Sequence, residues 1–168
     1  MTRIRGLRKL NKAVTIQLKP FGIDKAECST EYAYYRNSER ISFKLTEDTL
    51  EDRWFMEFVK ERFGYNVKYP FIFSLLHEVG HHMTDDDLDD MTYDFCEGEK
   101  AYIDSEMQTA TDIKTCKALE WKYFGLPDEI LATTWAVDYM KSHPVKIERM
   151  WNEILVALEK FYRKNGVM

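Results

Sequence analysis

The sequence is poor in cysteine and in long apolar runs. Its three cysteines, Cys28, Cys96 and Cys116, lack the short spacing of a zinc knuckle or a redox motif. Free thiols in a reducing compartment are therefore expected. The longest apolar stretch, residues 71–76, is far below the roughly 18 residues of a membrane-spanning helix. The basic residues of 1–12 precede no apolar core of a secretory signal. We therefore expect a cytoplasmic protein without a membrane partner.

The chain also lacks the excess of positive charge that nucleic-acid binding normally requires. Its formal net charge is -5 and its pI is near 5.5, so we expect no nucleic-acid partner. Apolar residues, in contrast, make up 45% of the 168 residues and aromatic residues 14%, enough for one buried core. Since no internal repeat or low-complexity linker divides the chain, a single domain over residues 1–168 is expected. These features leave the oligomeric state open.

Hydrophobic periodicity predicts a helix-rich α+β fold with one small antiparallel or mixed sheet near the N-terminus. A first amphipathic helix is predicted within residues 3–18, although residues 14–16 would suit a strand equally well. Alternating apolar residues predict a strand at 40–45, and the tyrosine-rich segment 31–36 is its predicted hairpin partner. Helices are further predicted at about 47–63, 70–83, 98–108, 111–124, 127–141 and 144–164.

Capping signals and patterning refine these helices. Thr46 is the predicted N-cap of the 47–63 helix and Gly64 its end. The acidic run at 85–99 is interpreted as solvated surface that could border a cleft and favour basic substrate segments. The motif-bearing core is expected at about 30–141, with the helix 144–164 packing on it. The apolar stripe of that helix consists of Ile147, Met150, Ile154, Leu158 and Phe161.

The segment Leu76-His77-Glu78-Val79-Gly80-His81 carries the chemistry of the chain. Since His77 and His81 are four residues apart, a helix places both imidazoles on one face. They can then reach one tetrahedral zinc ion at about 2.0–2.1 Å. Glu78 would lie beside the open coordination position, where it can take a proton from a zinc-bound water and deliver it to a leaving amine. This HExxH pattern is typical of metalloproteases, and it predicts zinc as cofactor, His77 and His81 as ligands and Glu78 as catalytic base.

A catalytic zinc site of this type needs a third protein ligand, for which Glu129 is the preferred candidate. Glu129 falls in the first turn of the predicted 127–141 helix, on a face that continues through Ala132 and Ala136. Gly80 lies on the face of the motif helix that bears the two histidines. Small residues on both surfaces would let the two backbones approach closely enough for a glutamate to share the ion.

Two further assignments stay open. Asp87 lies six residues after the second histidine, where a third ligand of the metzincin type would fall. Thr84, however, occupies the position where such a chain needs a glycine to turn back. Asp138 or Glu120 could hold a ligand imidazole in its tautomer, since metal-bound histidines usually donate their second N–H. His82 is interpreted as a packing or supporting residue.

Residues 77–81 (HEVGH) and 129–136 (EILATTWA) resemble the ImmA/IrrE family of zinc metallopeptidases, a gluzincin-like group that pairs HExxH with a downstream E-x-x-A-x-x-F-A helix. The resemblance covers roughly residues 70–140. It implies a zincin-like fold, an intracellular setting that is often a phage or mobile element, and cleavage of regulatory proteins, typically repressors. His77, His81 and Glu129 match the family's ligands and Glu78 its catalytic glutamate. Trp135 stands where phenylalanine is usual and Thr133 where asparagine is common, and the gap between the motifs is long.

The expected function is therefore that of a zinc-dependent endopeptidase acting on a protein or peptide substrate. If the strand 40–45 is a sheet edge, an extended peptide could pair with it beside the metal. The alternative is a catalytically weak or inactive zincin-fold protein that acts as a regulatory or protein-binding module. A third hypothesis treats the motif as coincidence in a helical interaction protein.

Overall fold

The computed structural model describes residues 4–45 and 49–166. Within these ranges the fold is helix-rich α+β with one three-stranded mixed sheet, as the periodicity predicts. The helices are α1 (Leu7–Leu18), α2 (Leu50–Phe63), α3 (Pro70–Thr84), α4 (Asp90–Thr109), α5 (Ile113–Phe124), α6 (Pro127–Ser142) and α7 (Pro144–Lys164), with short 3-10 turns at Lys19–Phe21 and Asp85–Asp87. The strands are β1 (Lys25–Ser29), β2 (Ala33–Tyr35) and β3 (Arg40–Lys44). Every helix in these ranges is too short or too polar to cross a bilayer.

The predicted hairpin is confirmed, and the sheet has a third strand beside it. β2 pairs antiparallel with β3, with Tyr34 opposite Ile41. β3 also pairs parallel with β1, so the sheet order is β1-β3-β2 and β3 is the central strand. The condition for a peptide to pair with residues 40–45 is therefore not met, because both sides of that strand are already paired.

β1 was not predicted, because its apolar content is low and its stabilisation comes from another element. Ala26 is its one fully buried residue. The N–H groups of Ala26 and Cys28 donate to Thr15 Oγ1 at 3.0 Å and to Asn11 Oδ1 at 2.9 Å, both on α1. Side chains of α1 thus occupy the outer edge of β1. The other edge of the sheet is β2.

The centre of the molecule is the contact between α3 and α6. α3 buries Ile72, Phe73, Leu75, Leu76 and Val79. The close approach predicted for the small residues is present: a Cβ built on Gly80 would lie 2.4 Å from the Ala132 carbonyl oxygen. The two backbones therefore touch at the turn that bears the motif.

The remaining helices frame this centre. α7 buries its stripe of Ile147, Met150, Ile154, Leu158 and Phe161 in the same core as the apolar face of α1. Residues 14–16, which suited a strand or a helix, belong to α1.

Two helix starts differ from the predicted positions. α2 begins at Leu50, where Thr49 and Asp52 form a capping box, and ends at Gly64 as predicted. The predicted cap Thr46 and start Glu47 lie outside the described residues. α4 begins at Asp90, well before the predicted residue 98, because the Asp89 side chain accepts from the Thr92 N–H at 2.7 Å and caps the helix. Much of the acidic run is thus helical.

Candidate metal centre and its cleft

α3 places the two motif histidines on one face, as their spacing predicts. The ring centroids of His77 and His81 are 4.8 Å apart. The His77 side chain is buried, and that of His81 is 15% exposed. Phe55 of α2 packs edge-on against the His77 ring at 5.1 Å. Packing therefore holds the His77 ring in place, and the His81 ring lies next to it on the same face.

α6 brings a carboxylate to the two rings. Pro127 opens this helix, so Glu129 falls in its first turn, and the Gly80–Ala132 contact sets the distance to α3. Glu129 Oε2 lies 2.8 Å from His77 Nε2, and Glu129 Oε1 lies 3.3 Å from His81 Nε2. One ligand atom from each residue lies within 4.8 Å of the others, so the group could hold a metal ion.

The charges of this group suit a bound cation. Burial alone would raise the pKa of Glu129, but His81 and His77 lower it well below its ordinary value. Burial opposes the charged form of His81, yet Glu129 outweighs it and raises the pKa of His81 to about 9. Protons bound so strongly are those that a metal ion displaces. The site therefore favours positive charge at the position where the three side chains converge.

The donor set also fits a divalent metal. Two imidazole nitrogens and one carboxylate oxygen form a combination found in catalytic zinc sites. Three buried carboxylates, Glu78, Asp128 and Glu129, face one ammonium group, that of Lys100. With neutral imidazoles this leaves an excess of two negative charges, which a divalent cation would balance.

Glu78 belongs to the same cleft but not to the ligand group. It is 8% exposed. Burial raises the pKa of its carboxyl, and Glu129 adds to this, while His77 and His81 oppose it. A carboxyl with a raised pKa beside a candidate metal centre is a stronger base and is suited to accept a proton there.

Thr133 contacts the His77 imidazole in the position for which Asp138 and Glu120 were the open candidates. Its Oγ1 lies 3.1 Å from His77 Nδ1, on the side of the ring away from Glu129. Asp138 is exposed on α6, and Glu120 is half-buried on α5. The available signal was spacing, since Thr133 lies one helical turn after Glu129 on the same face.

The structure brings Glu129, and not Asp87, to the histidine pair. α3 continues to Thr84 and passes into the 3-10 turn Asp85–Asp87, and Asp87 is not part of the group that could hold a metal. Asp87 is exposed there. His82 lies off the site, with its Nδ1 3.0 Å from the Tyr34 hydroxyl, so it connects α3 to β2.

Lys100 is a residue of the site that the sequence reasoning missed. It projects from α4, with its Nζ 2.5 Å from Asp128 Oδ2 and 3.0 Å from Glu129 Oε1. Burial lowers the pKa of Lys100, but Glu129, Tyr123 and Asp128 together outweigh this and raise the pKa above its ordinary value. The one available signal was that Lys100 is the first basic residue after the acidic run. Sequence spacing does not show that α4 packs against α6.

A cleft of about 400 Å³ opens over the candidate metal centre. His77, Glu78, His81 and Glu129 line it, together with Ala33 and other residues of the β2 region. Because α1 covers the opposite edge of the sheet, β2 is the edge strand that borders this cleft. The acidic run contributes Asp85 and Glu97 to the lining, so part of it does border the cleft.

Comparisons with protein-family models, with curated proteins and with solved structures found no match for this chain. Its function is therefore inferred from its own residues and their geometry. The relation to the ImmA/IrrE family, indicated by the two motifs, stays a prediction.

Proposed function

We propose that the protein is a zinc-dependent metallopeptidase with a zincin-like fold, which hydrolyses peptide bonds in a protein substrate. The observation that carries this proposal is the convergence of His77, His81 and Glu129 at the base of a cleft that Glu78 also lines. Two helices far apart in sequence supply the group, which supports a metal site over a chance HExxH pattern.

His77 Nε2, His81 Nε2 and a carboxylate oxygen of Glu129 would hold the metal. Zinc is the preferred ion because two imidazoles and one carboxylate are among its usual catalytic ligand sets. When bound, zinc would supply Lewis acidity, which polarises a substrate carbonyl and makes water a better nucleophile at neutral pH. Thr133 Oγ1 would fix the orientation of the His77 ring through Nδ1.

Glu78 would act as the general base and then as the general acid. Its carboxylate would accept a proton from the attacking water and pass it to the nitrogen of the leaving amine. The raised pKa of Glu78 supports the first half of this transfer, since a stronger carboxylate base takes the proton more readily. Its burial in the cleft places it within the space that the substrate must enter.

The edge strand β2 supports an extended peptide as the substrate. An extended peptide can add to a sheet edge through main-chain hydrogen bonds, and β2 is the edge that faces the cleft. β2 therefore takes the place of β3 as the proposed strand for peptide pairing, because β3 is paired on both sides. From the ImmA/IrrE resemblance we further propose that the substrate is an intracellular regulator, such as a repressor of a phage or mobile element.

The proposal is tested by Glu78→Gln, which keeps the shape of the side chain and removes the base. The wild type and the variant should both bind zinc. Hydrolysis of a proteome-derived peptide library, measured as new termini by mass spectrometry, should fall by about 10²-fold or more in the variant. If zinc-loaded wild-type protein cleaves neither this library nor intact proteins, the proposal of a peptidase is contradicted. That result would favour the regulatory or binding module.

A further inference from the structure

Lys100 reaches the candidate metal centre from a helix that carries neither motif. Its side chain is 16% exposed, and its Nζ lies 3.0 Å from Glu129 Oε1. The same oxygen lies 3.3 Å from His81 Nε2. A metal held by the three candidate ligands would therefore share one carboxylate with an ammonium group.

Asp128 keeps Lys100 in this position. Its Oδ2 lies 2.5 Å from Lys100 Nζ, and its Oδ1 accepts the Glu129 N–H at 2.9 Å. Asp128 and Glu129 are each 4% exposed. Buried carboxylates without a counter-charge are costly, so Lys100 stabilises the fold when no metal is bound.

We propose that Lys100 is an internal counter-ion that competes with the metal for Glu129 and thereby weakens metal binding. The ammonium group and a divalent cation carry like charge and would share the same carboxylate, so each would make the other less favourable. By binding Glu129 Oε1, Lys100 also leaves this side chain a weaker donor. The inference rests on the metal-binding half of the proposed function and not on hydrolysis.

A purely structural role for Lys100 makes a different prediction. If Lys100 only held α4 against α6, its removal would destabilise the metal-free and metal-bound protein alike. Zinc affinity would then stay unchanged or decrease. Competition predicts that zinc affinity increases when Lys100 is removed. The metal would then supply the positive charge that the buried carboxylates have lost.

The test is zinc affinity by competition with a chromophoric chelator for the wild type and Lys100→Met. We expect binding at least about tenfold tighter in the variant. We also expect a larger rise in melting temperature when zinc is added. Lys122→Met on α5 is the matched control, because it removes the same charge from an exposed pair with Glu99. Its zinc affinity should stay within about twofold of the wild type.

A second pair of variants keeps the test decisive if Lys100→Met fails to fold. Asp128→Asn removes the carboxylate that Lys100→Met would leave unpaired. Zinc affinity is then compared between the Asp128→Asn single variant and the double variant that also carries Lys100→Met. Tighter zinc binding without Lys100 supports the inference in either background, whereas unchanged or weaker binding overturns it. If neither the wild type nor the variants bind zinc, the metal site and the inference fall together. If zinc binds and no peptide is cleaved, only the peptidase proposal fails.

Discussion

Gly80 of α3 lies against the backbone of Ala132 on α6 so closely that a Cβ at residue 80 would meet the Ala132 carbonyl oxygen at 2.4 Å and its Cα at 2.9 Å. This contact lies beside the point where Glu129 approaches His77 and His81. The separation of the two helices therefore sets whether one ion can be shared by side chains from both.

Gly80→Ala should destabilise the protein by about 3 kcal/mol, because the obstructing atoms are backbone and cannot rotate away. The gain in helix propensity, about 1 kcal/mol, offsets only part of this cost. The measurement is urea unfolding, together with zinc affinity, which should fall as the helices separate. Gly98→Ala on α4 is the control, since a Cβ built on Gly98 would have no neighbouring atom within 4 Å outside its own helix backbone. It should stabilise by roughly 0.5–1 kcal/mol. A Gly80→Ala protein as stable as the wild type would contradict the close contact.

Zinc stoichiometry should separate the candidate ligands from their nearest alternative. Elemental analysis of the wild type is expected to find about one zinc per chain. His77→Ala and Glu129→Ala should lose it, because each removes a ligand atom of the buried group. Asp87→Ala should keep it, because Asp87 is exposed in the turn after α3. Loss of zinc from Asp87→Ala with retention in Glu129→Ala would reverse the assignment of the third ligand.

Thr133→Val should weaken zinc binding by about tenfold while leaving the shape of the side chain unchanged. The substitution removes the hydroxyl 3.1 Å from His77 Nδ1, so the ring loses the partner that orients it. Thr134→Val is a matched control, since the Thr134 hydroxyl donates to the Ile130 carbonyl oxygen on its own helix and is exposed. Equal zinc affinities for the two valine variants, measured by chelator competition, would rule out the supporting role.

Glu120 should make the folded state less stable as pH rises. Burial raises the pKa of Glu120 from 4.5 to about 7, with Glu51, Asp104 and Glu129 adding to the shift. The folded pKa of Glu120 is above the unfolded one, so protonation of Glu120 stabilises the folded state. This stabilisation is fully present below about pH 4.5. It is lost as pH rises through about 7.

Glu120→Gln should therefore be more stable than the wild type at pH 8, by about 1–2 kcal/mol once solvent screening is allowed for. At pH 4 the two proteins should be equally stable. Urea unfolding at both pH values provides the comparison. Glu51→Gln, which removes the first of the neighbouring charges, should show an intermediate pH dependence. A constant difference between the wild type and Glu120→Gln across this range would contradict the raised pKa.

Most helices and the hairpin follow from local patterns. Alternating apolar residues predicted β3, and periodicity with proline or glycine punctuation predicted α3, α6 and α7 to within a few residues. β1 was missed because it is stabilised by α1 side chains and by β3, which lies beyond the turn. The early start of α4 was missed because the cap at Asp89 was not distinguished from its acidic neighbours.

The spacing of His77 and His81 was enough to predict that they face the same way, because residues four apart on a helix lie one turn from each other. The sequence also placed Glu129 in the first turn of a later helix and small residues on both facing surfaces. The packing of the helices was needed to show that Glu129, and not Asp87, meets the pair, and that Thr133 and Lys100 lie beside it. These contacts join helices distant in the chain, and the distances between them depend on how α3, α4 and α6 pack against one another.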